Sequence, residues 1–308
     1  MLSSYQGAIM TTIKISNVCG LCAGCKTAIS TAKHLSTTNK TVLFKEIVHN
    51  KTANQMLSNL GIKTIDNLKF ASRDEVIVLR AHGEPPETYN HLNSHHIPFV
   101  DCTCPNVTKI HEQVCKFSKD GYKIIILGKY GKTNGKIHPE VFGTIGWCAS
   151  DPILIEDEED LFKLNNYQNK KLYLVCQTTF NAQKADKLIE KISHLSTNNN
   201  CALVVNKSIC NAQKAINLAS VKLAQSSDIM IIVGGKNSSN SIELFNNIKT
   251  YTPSIFIEDI HDWKNELINQ NIPFSNDTKF GITAGASTLK EELLELKKLI
   301  ELELSKKV

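Results

Sequence analysis

The sequence has no apolar run long enough to span a membrane, no long basic block and few aromatic residues, which make up only 6% of its 308 residues. The missing apolar run excludes a transmembrane protein. Because there is also no regular alternation of basic and aromatic residues, we predict no nucleic-acid partner. A Gly/Ser-rich or Pro-rich linker is absent too, so any lobes are expected to pack together rather than to be joined by flexible segments.

The N-terminal stretch MLSSYQGAIMTTIKIS lacks two kinds of targeting signal. It has no basic segment followed by a long apolar segment, as a secretory signal has, and it is not Arg-rich like a transit peptide. We therefore expect a cytoplasmic protein. In that reducing compartment the ten cysteines are not expected to form structural disulfides, so any special ones should bind metal or be redox-active.

The composition that remains, 42% hydrophobic and 21% charged, is typical of a soluble globular protein. The length allows two or three modest α/β lobes with a sizeable core. The formal net charge of +5 suits an anionic small substrate or an acidic protein partner, and it is equally consistent with a solvated surface rich in Lys and Asn.

Short β-branched runs alternate with longer amphipathic stretches along the whole chain. The runs are TIKIS, EVIVLR, YKIIILG, KLYLVC, DIMIIVG and KFGITAG. This alternation predicts an α/β fold with parallel sheets. The final stretch, STLKEELLELKKLIELELSKKV, predicts a C-terminal helix with Ser287 or Thr288 near its start.

Three cysteines each stand between an extended or loop-like run and a helical pattern. Cys22 leads into AGCKTAISTAKHL, Cys104 into PNVTKIHEQVCKF and Cys210 into NAQKAINLASVKLA. A helix start favours a thiolate ligand, because the helix dipole and the free N–H groups lower the pKa of a thiol. The three are far apart in sequence, so a shared metal or cluster site would need one cysteine from each of three α/β units. The alternative is that these are ordinary buried cysteines whose positions coincide with helix starts.

The remaining cysteines are interpreted mainly as packing residues. Those in strand or core positions are Cys102, Cys115, Cys148, Cys176 and Cys201. Cys19 and Cys25 flank Cys22 in the stretch VCGLCAGCKTAIS. Packing is the favoured interpretation of these two as well, while alternative ligation and a role in electron entry stay open.

Polar residues follow several predicted strands, which is where ligands bind in open parallel sheets. His49 follows TVLFKEIV, His82 follows EVIVLRA, and His138 begins the sequence HPE in the loop after YKIIILG. The segments GGKNSSNSIELF and KFGITAGAS each run from a strand through small residues into a helix, which favours an anion cradle suited to a diphosphate. Tight strand–helix turns would give the same pattern, and neither segment has the residue order of a nucleotide-binding P-loop.

Glu140 and the run Gln177–Thr179 are the candidates for proton transfer. The run follows the predicted strand KLYLVC directly, whereas Glu140 follows the strand YKIIILG after an intervening loop rich in Lys and Gly. A carboxyl next to a hydroxyl can deliver a proton to a leaving oxygen, which is general acid chemistry.

Together these segments resemble one family, the 4-hydroxy-3-methylbut-2-enyl diphosphate reductases, which are iron–sulfur enzymes of the last step of the non-mevalonate isoprenoid pathway. The matching segments are GLCAG, EIVHN, AHG, DCTCPNVTKIH, HPEVFGTIG, QTT, SIC, GGKNSSNS and ITAGAS. They occur in the family's order from about Ile13 to Ser287, and their joint occurrence makes the resemblance specific.

The resemblance implies an α/β trefoil of three units with parallel sheets around a central 4Fe–4S cluster, held by Cys22, Cys104 and Cys210. The units would span residues 13–104, with an N-terminal cluster-ligand strand, then 105–206 and 207–290, followed by a C-terminal helix at 291–308. The fourth iron would have no protein ligand. A ferredoxin or flavodoxin would be the kind of electron donor expected.

The resemblance also implies the roles of the site residues. The substrate hydroxyl would bind the fourth iron, and Glu140, helped by Thr178 and His138, would protonate it as it leaves. Two electrons and a further proton would give isopentenyl and dimethylallyl diphosphate. The residues expected to bind the diphosphate are His49, His82, His138, Ser238, Ser239, Asn240 and Ser287.

Several features depart from the family pattern. Cys19 and Cys25 stand near positions where Arg and an aliphatic residue are usual, the loop LGKYGKTNGKIHPE is longer than usual, and the run after Cys210 has fewer Thr and basic residues. A second hypothesis is therefore a divergent paralogue that reduces another allylic or phosphorylated substrate. A third is a non-enzymatic iron–sulfur sensor or electron carrier in which Cys19, Cys22 and Cys25 form a local clasp.

Overall fold

The structure is a computed structural model that describes residues 12–48, 50–132, 135–236, 238–286 and 288–306, without the side chain of Ser239. In chain order its strands are β1 (Ile13–Ile15), β2 (Lys40–Phe44), β3 (Lys63–Ile65), β4 (Glu75–Leu79), β5 (Phe99–Asp101), β6 (Lys123–Leu127), β7 (Ile153–Ile155), β8 (Lys171–Cys176), β9 (Ala202–Asn206), β10 (Ile229–Val233), β11 (Ser254–Ile257) and β12 (Phe280–Ala284). The α-helices are α1 (Ala23–Leu35), α2 (Lys51–Asn59), α3 (Pro86–Ser94), α4 (Pro105–Lys119), α5 (Pro139–Gly146), α6 (Ala182–Asn198), α7 (Asn211–Ala224), α8 (Ser239–Ile248), α9 (Trp263–Asn269) and α10 (Lys290–Ser305).

These strands form three four-stranded sheets, and every pair of neighbouring strands is parallel. The first sheet has the order β3-β2-β4-β5, the second β7-β6-β8-β9, and the third β1-β12-β10-β11. The six strands predicted from β-branched runs are present as β1, β4, β6, β8, β10 and β12. The predicted α/β class with parallel sheets is therefore confirmed.

The chain divides into two compact units. The central unit contains Gly24–Ile47 and Leu57–Cys210, and it holds the first and second sheets. The terminal unit contains the described parts of Met1–Ala23, Val48–Met56 and Asn211–Val308, with the third sheet. The predicted first unit, residues 13–104, includes β1, but β1 pairs with β12 and so joins the third sheet. The division at 13–104, 105–206, 207–290 and 291–308 stays a prediction.

Buried β-branched strands form the core of each unit. Every residue of β10 and β12 is buried, as expected of central parallel strands that are covered on both faces. In the central unit, α6 buries Leu188 and Ile192 at helical spacing against the second sheet. No helix in the ranges that the structure describes is long and apolar enough to cross a membrane.

Proline sets the start of three helices in the central unit. Pro86, Pro105 and Pro139 occupy the first positions of α3, α4 and α5. The first turn tolerates proline because its missing N–H would be unpaired there anyway, and the ring restricts the preceding residue to extended backbone. Cys104 and His138 thereby occupy the positions directly before α4 and α5, and only His138 caps its helix through its side chain.

The predicted C-terminal helix is present as α10, in the terminal unit. Its first turn is not capped by Thr288, whose hydroxyl instead donates to the carbonyl oxygen of Val233 at 3.1 Å. The buried carboxylate of Glu292 accepts the Leu289 N–H at 3.2 Å and the Asn50 amide at 3.2 Å. A carboxylate from the first turn therefore satisfies a free backbone donor at the helix start.

Candidate active site

Cys22, Cys104 and Cys210 each lie directly before a helix, at the starts of α1, α4 and α7. This confirms the placement predicted from the sequence. All three thiols are half-buried. In the central unit, the Cys104 N–H donates to the carbonyl oxygen of Ala81 at 3.0 Å and the Cys210 N–H to that of Thr178 at 2.7 Å. These bonds hold the two cysteines in place directly before the helices α4 and α7.

The first turn of α4 connects the two thiols of the central unit. Cys104 precedes this helix, and Asn106, two residues later, places its Nδ2 atom 3.5 Å from the Sγ atom of Cys210. The start of α1 packs against Cys104 through Gly24. A Cβ atom added at Gly24 would lie 3.2 Å from the Cβ and 3.4 Å from the Sγ of Cys104. Glycine therefore allows this helix to approach the thiol closely.

The donor chemistry of these cysteines fits an iron–sulfur cluster. Thiolates are the ordinary ligands of such clusters, and the three cysteines are half-buried residues at helix starts and not members of an apolar core. Across the described ranges, no three His, Cys, Asp or Glu side chains form a ready metal-binding group. The ligand set Cys22, Cys104 and Cys210 therefore stays a prediction.

Cys19, in contrast, is a packing residue of the terminal unit. Its side chain packs against the core cluster of the third sheet, and its thiol donates to the carbonyl oxygen of Ser16 at 3.1 Å. Burial raises the pKa of the Cys19 thiol, which disfavours a thiolate. This confirms the packing interpretation and argues against a local clasp of Cys19, Cys22 and Cys25. Cys25 is half-buried, and its role stays a prediction.

The candidate acid, Glu140, is buried in the first turn of α5, with 2% of its surface exposed. Its carboxylate accepts hydrogen bonds from the Thr178 N–H at 2.5 Å and from the Thr178 hydroxyl at 2.6 Å. Burial raises the pKa of Glu140 to about 7, although the two bonds from Thr178 act in the opposite direction. A pKa near neutrality suits a group that must both hold and release a proton.

Thr178 links this carboxyl to one of the cysteines. Its N–H and hydroxyl hold the carboxylate of Glu140, while its carbonyl oxygen accepts the Cys210 N–H. Thr178 itself is buried, directly beyond the end of β8. Glu140, the candidate acid, and Cys210, a candidate ligand, therefore both form hydrogen bonds with the same buried threonine.

His138 precedes α5 and is held by backbone bonds on both sides. Its Nδ1 accepts the Glu140 N–H at 3.2 Å, so the neutral ring carries its proton on Nε2. Its own N–H donates to the carbonyl oxygen of Lys129, whose N–H in turn donates to the buried Gln177 side chain at 3.0 Å. The centre of its ring lies 5.7 Å from that of His82, at an angle of 77°. The structure thus brings His82 and His138 together.

A buried ion pair supports the loop that carries His82. The fully buried carboxylate of Glu84 accepts from Arg80 Nε at 2.9 Å and from Lys45 Nζ at 3.1 Å. The carbonyl oxygen of Glu84 accepts the indole N–H of Trp147 at 3.0 Å. The loop after β4 is therefore tied to the loop after β2 and to the segment after α5.

Two glycines allow the same loop to pack closely against its neighbours. Gly83 has a φ of +77°, and a Cβ atom there would lie 2.5 Å from Cε1 of His111. A Cβ atom at Gly143, in α5, would lie 2.8 Å from the carbonyl oxygen of Gly83. His111 is buried and stacks on Trp147 with ring centres 5.4 Å apart, and burial lowers its pKa to about 4. His111 is therefore a neutral core residue.

The terminal unit contains the helix start that was predicted as an anion cradle. Ser238 caps α8, and its hydroxyl oxygen accepts the Ser241 N–H at 3.4 Å. The buried Oδ1 atom of Asn240 has no hydrogen-bond partner among the residues described. A Cβ atom at Gly234 or Gly285 would clash with the Ser241 hydroxyl. The loops after β10 and β12 can therefore close on the start of α8 only because both positions lack a side chain.

Cys22 lies beside the loop that follows β12. Its N–H donates to the carbonyl oxygen of Ala286 at 3.2 Å, and the Leu21 N–H donates to that of Thr288 at 3.0 Å. Ser287, between these two acceptors, and His49 fall outside the described residues, as does the side chain of Ser239. Their predicted contacts with a diphosphate stay predictions.

Three residues around these sites were not singled out from the sequence: Glu84, Asn106 and Ser241. Each occupies a position that could have drawn attention. Asn106 stands two residues after Cys104 in the first turn of a helix, and Glu84 stands two residues after His82. Ser241 follows Ser238 by three residues, the spacing at which a capping hydroxyl meets a backbone N–H. The contacts of Glu84 with Lys45 and Trp147, and that of Asn106 with Cys210, join residues distant in sequence, which is why the sequence does not reveal them.

Comparison with known proteins gives consistent matches over nearly the whole chain. Residues 13–301 match the LytB protein family. The 4-hydroxy-3-methylbut-2-enyl diphosphate reductase of Clostridioides difficile (strain 630) is 33% identical over 279 residues, covering 90% of this chain and 94% of that protein. The enzyme of the same name from Aquifex aeolicus (strain VF5) is 32% identical over 285 residues, covering 91% of this chain and 92% of that protein.

Solved structures agree with these relatives. The structure of (E)-4-hydroxy-3-methyl-but-2-enyl diphosphate reductase, described as the terminal enzyme of the non-mevalonate pathway, matches with a TM-score of 0.72 at 29% identity, covering 95% of this chain and 99% of that one. The E-1-hydroxy-2-methyl-but-2-enyl-4-diphosphate reductase from Plasmodium falciparum matches with a TM-score of 0.79 at 26% identity, covering 95% and 88%. The fold expected from the resemblance is confirmed, and the chain belongs to the LytB protein family.

Proposed function

We propose that this chain catalyses the reductive removal of the hydroxyl group of 4-hydroxy-3-methylbut-2-enyl diphosphate, giving isopentenyl and dimethylallyl diphosphate. The observation that carries the proposal is the arrangement of Glu140, Thr178 and Cys210. A buried carboxyl with a pKa of about 7 is held by a threonine whose carbonyl oxygen binds the backbone of a candidate cluster ligand. An acid for a leaving oxygen is thereby connected to a group that can hold an electron-transfer cofactor.

The role of Glu140 follows from the chemistry of the leaving group. Hydroxide is a poor leaving group, so the carbon–oxygen bond breaks more readily when the oxygen receives a proton and departs as water. Glu140 supplies this proton, and Thr178 holds the carboxyl in place through two hydrogen bonds. Two electrons and a second proton complete the reaction, so that one hydroxyl is replaced by hydrogen.

The cluster ligands we propose are Cys22, Cys104 and Cys210, and the form we propose is 4Fe–4S. When bound, such a cluster would supply electrons one at a time and Lewis acidity for the departing hydroxyl. A ferredoxin or a flavodoxin is the proposed electron donor, since either can deliver single electrons. The position of each cysteine directly before a helix supports this ligand set.

The diphosphate is proposed to provide binding energy far from the reacting carbon. His82 and His138 lie together in the central unit, and the Nε2–H of neutral His138 is a donor for a phosphate oxygen. The start of α8 offers backbone N–H groups to an anion. The proposed diphosphate-binding residues are His49, His82, His138, Ser238, Ser239, Asn240 and Ser287.

The test is anaerobic turnover of the cluster-reconstituted protein with 4-hydroxy-3-methylbut-2-enyl diphosphate and a reduced viologen dye, following dye oxidation and the two five-carbon products. We expect Glu140→Gln to reduce kcat by about 10²- to 10⁴-fold, the usual contribution of a general acid. Glu87→Gln is the matched control, because Glu87 also follows a proline at a helix start but is exposed. It should leave kcat unchanged.

The iron and sulfide contents of both variants should equal those of the wild type, which shows that a lost proton donor, not a lost cluster, lowers the rate. A wild-type protein with an intact cluster and no products would contradict the proposed substrate. Full activity of Glu140→Gln would contradict the proposed acid.

A further inference from the structure

The side-chain amide of Asn106 reaches the thiol of Cys210. It occupies the second position of α4, after Cys104 and Pro105, and its Nδ2 atom lies 3.5 Å from the Sγ atom of Cys210. Both residues belong to the central unit. The contact is a side-chain hydrogen bond between residues that are 104 positions apart in sequence.

The backbone holds both ends of this contact. Pro105 fixes the start of α4, and Asn106 follows it within the first helical turn. The Cys210 N–H donates to the carbonyl oxygen of the buried Thr178 at 2.7 Å, and α7 begins at the next residue. The amide and the sulfur are therefore positioned by two helix starts and not by flexible loops.

Which atom of the Asn106 amide faces the sulfur depends on whether Cys210 is a thiol or a thiolate. A cysteine that ligates iron is a thiolate, which accepts hydrogen bonds and donates none. The NH₂ end of the Asn106 amide is therefore the end that a ligating Cys210 attracts. Hydrogen bonds from N–H groups to cluster sulfurs are among the features that set the reduction potential of an iron–sulfur protein.

We propose that Asn106 tunes the reduction potential of the cluster by donating a hydrogen bond to the sulfur of Cys210. Reduction adds negative charge to the cluster and its thiolates, so a donor at the sulfur stabilises the reduced form more than the oxidised form. Asn106 thereby raises the potential and makes the cluster easier to reduce. The inference rests on the proposed function, because it requires Cys210 to be a cluster ligand.

The test is a redox titration of the anaerobically reconstituted protein, monitored by electron paramagnetic resonance and without substrate. Asn106→Leu keeps a similar volume and removes the donor. We expect it to shift the equilibrium between the two redox states three- to tenfold toward the oxidised form, where tenfold corresponds to about 59 mV for one electron. Asn106→Asp should shift it further in the same direction, because a carboxylate near the sulfur repels the added charge.

The matched control is Asn93→Leu, the same substitution at an exposed helical position in the central unit. It should leave the potential unchanged. Equal potentials for the wild type and Asn106→Leu, with equal iron contents, would overturn the proposal. So would a potential that rises in Asn106→Leu.

Resonance Raman spectra provide a second readout if a variant loads cluster poorly. Loss of an N–H donor should raise the iron–cysteine sulfur stretching frequency in the fraction that retains the cluster, and an unchanged frequency would contradict the proposal. The titration uses no substrate, so its result does not depend on turnover. If Asn106→Leu and Asn106→Asp lower the potential as expected but the wild type does not convert the diphosphate, only the proposed function is contradicted. A wild-type chain that binds no cluster would overturn both.

Discussion

The loop after β4 and the start of α5 each bury a glutamate in the central unit, but the two carboxyls have opposite kinds of partners. Glu84 is fully buried and lies against two cations, Arg80 and Lys45. Glu140 is just as inaccessible, yet its partners are the hydroxyl and the N–H of Thr178, with no cation in contact among the residues described. Burial is shared, and only the partners differ.

The partners of each buried carboxyl indicate whether it has a structural role or a role in proton transfer. Two cations contact the carboxylate of Glu84, so this residue ties the loop after β4 to the loop after β2. Neutral donors stabilise the charged form of Glu140 less than burial destabilises it, so its pKa rises to about 7. A carboxyl that titrates near neutrality is suited to proton transfer.

The largest expected effect is the loss of stability when the Glu84 carboxylate is removed. Glu84→Ala leaves Arg80 buried without its counter-ion, and we expect the free energy of unfolding to fall by about 3–5 kcal/mol. Urea unfolding of the reconstituted protein measures this loss. Asp74→Ala breaks the exposed pair between Lys40 and Asp74 and should leave the urea midpoint almost unchanged. Equal losses in the two variants would contradict the assignment of Glu84 as a structural tie.

The second effect is a dependence of stability on pH that comes from Glu140. The unfolded chain releases this proton near pH 4.5, whereas the folded chain holds it to about pH 7. Between these values the folded state binds more protons, so the contribution of Glu140 to stability is complete below about pH 4.5 and is lost as the pH rises to 7. The loss amounts to at most about 3 kcal/mol.

Urea midpoints at pH 5 and pH 7.5, compared between the wild type and Glu140→Gln, measure this contribution. The wild type should lose more stability than the variant between the two pH values, because Gln does not titrate. Parallel behaviour of the two proteins would show that Glu140 ionises with an ordinary pKa.

The smallest expected effect comes from weakening the neutral partners. Thr178→Val removes the hydroxyl donor while the backbone N–H remains, so the pKa of Glu140 should rise further and the alkaline limb of the kcat–pH profile should move to higher pH. The cost in stability should be about 1 kcal/mol. Thr197→Val is the control, because the exposed Thr197 hydroxyl donates to the carbonyl oxygen of Ser193 instead. An alkaline limb of the kcat–pH profile that does not move in Thr178→Val would contradict the inference that the Thr178 hydroxyl lowers the pKa of Glu140.

Much of the local structure could be predicted from the sequence. Short runs rich in β-branched residues gave the buried strands, because a parallel strand is covered on both faces. Helical patterns directly after Cys22, Cys104 and Cys210 placed these residues at helix starts, and the structure confirms all three positions. Such features depend on neighbours within a few residues, which the sequence displays directly.

Long-range contacts could not be predicted in this way. The pairing of β1 with β12 joins residues that are far apart in sequence. The contacts of Lys45 with Glu84 and of Asn106 with Cys210 depend on which loops the sheets bring side by side. No local pattern specifies such a contact, because many loops of the chain contain polar residues of the same types at similar spacings.

The dipeptide Pro–Glu, which starts two helices, distinguishes what the local sequence determines from what the tertiary structure determines. Pro86–Glu87 and Pro139–Glu140 both begin a helix, and the sequence alone determined this, because proline fits only the first turn and glutamate is favoured there. Only the tertiary structure decided that Glu87 faces solvent while Glu140 is enclosed beside Thr178. The physical reason is that backbone geometry is set by adjacent residues, whereas the pKa of a carboxyl is set by the solvent and the donors that the whole fold places around it.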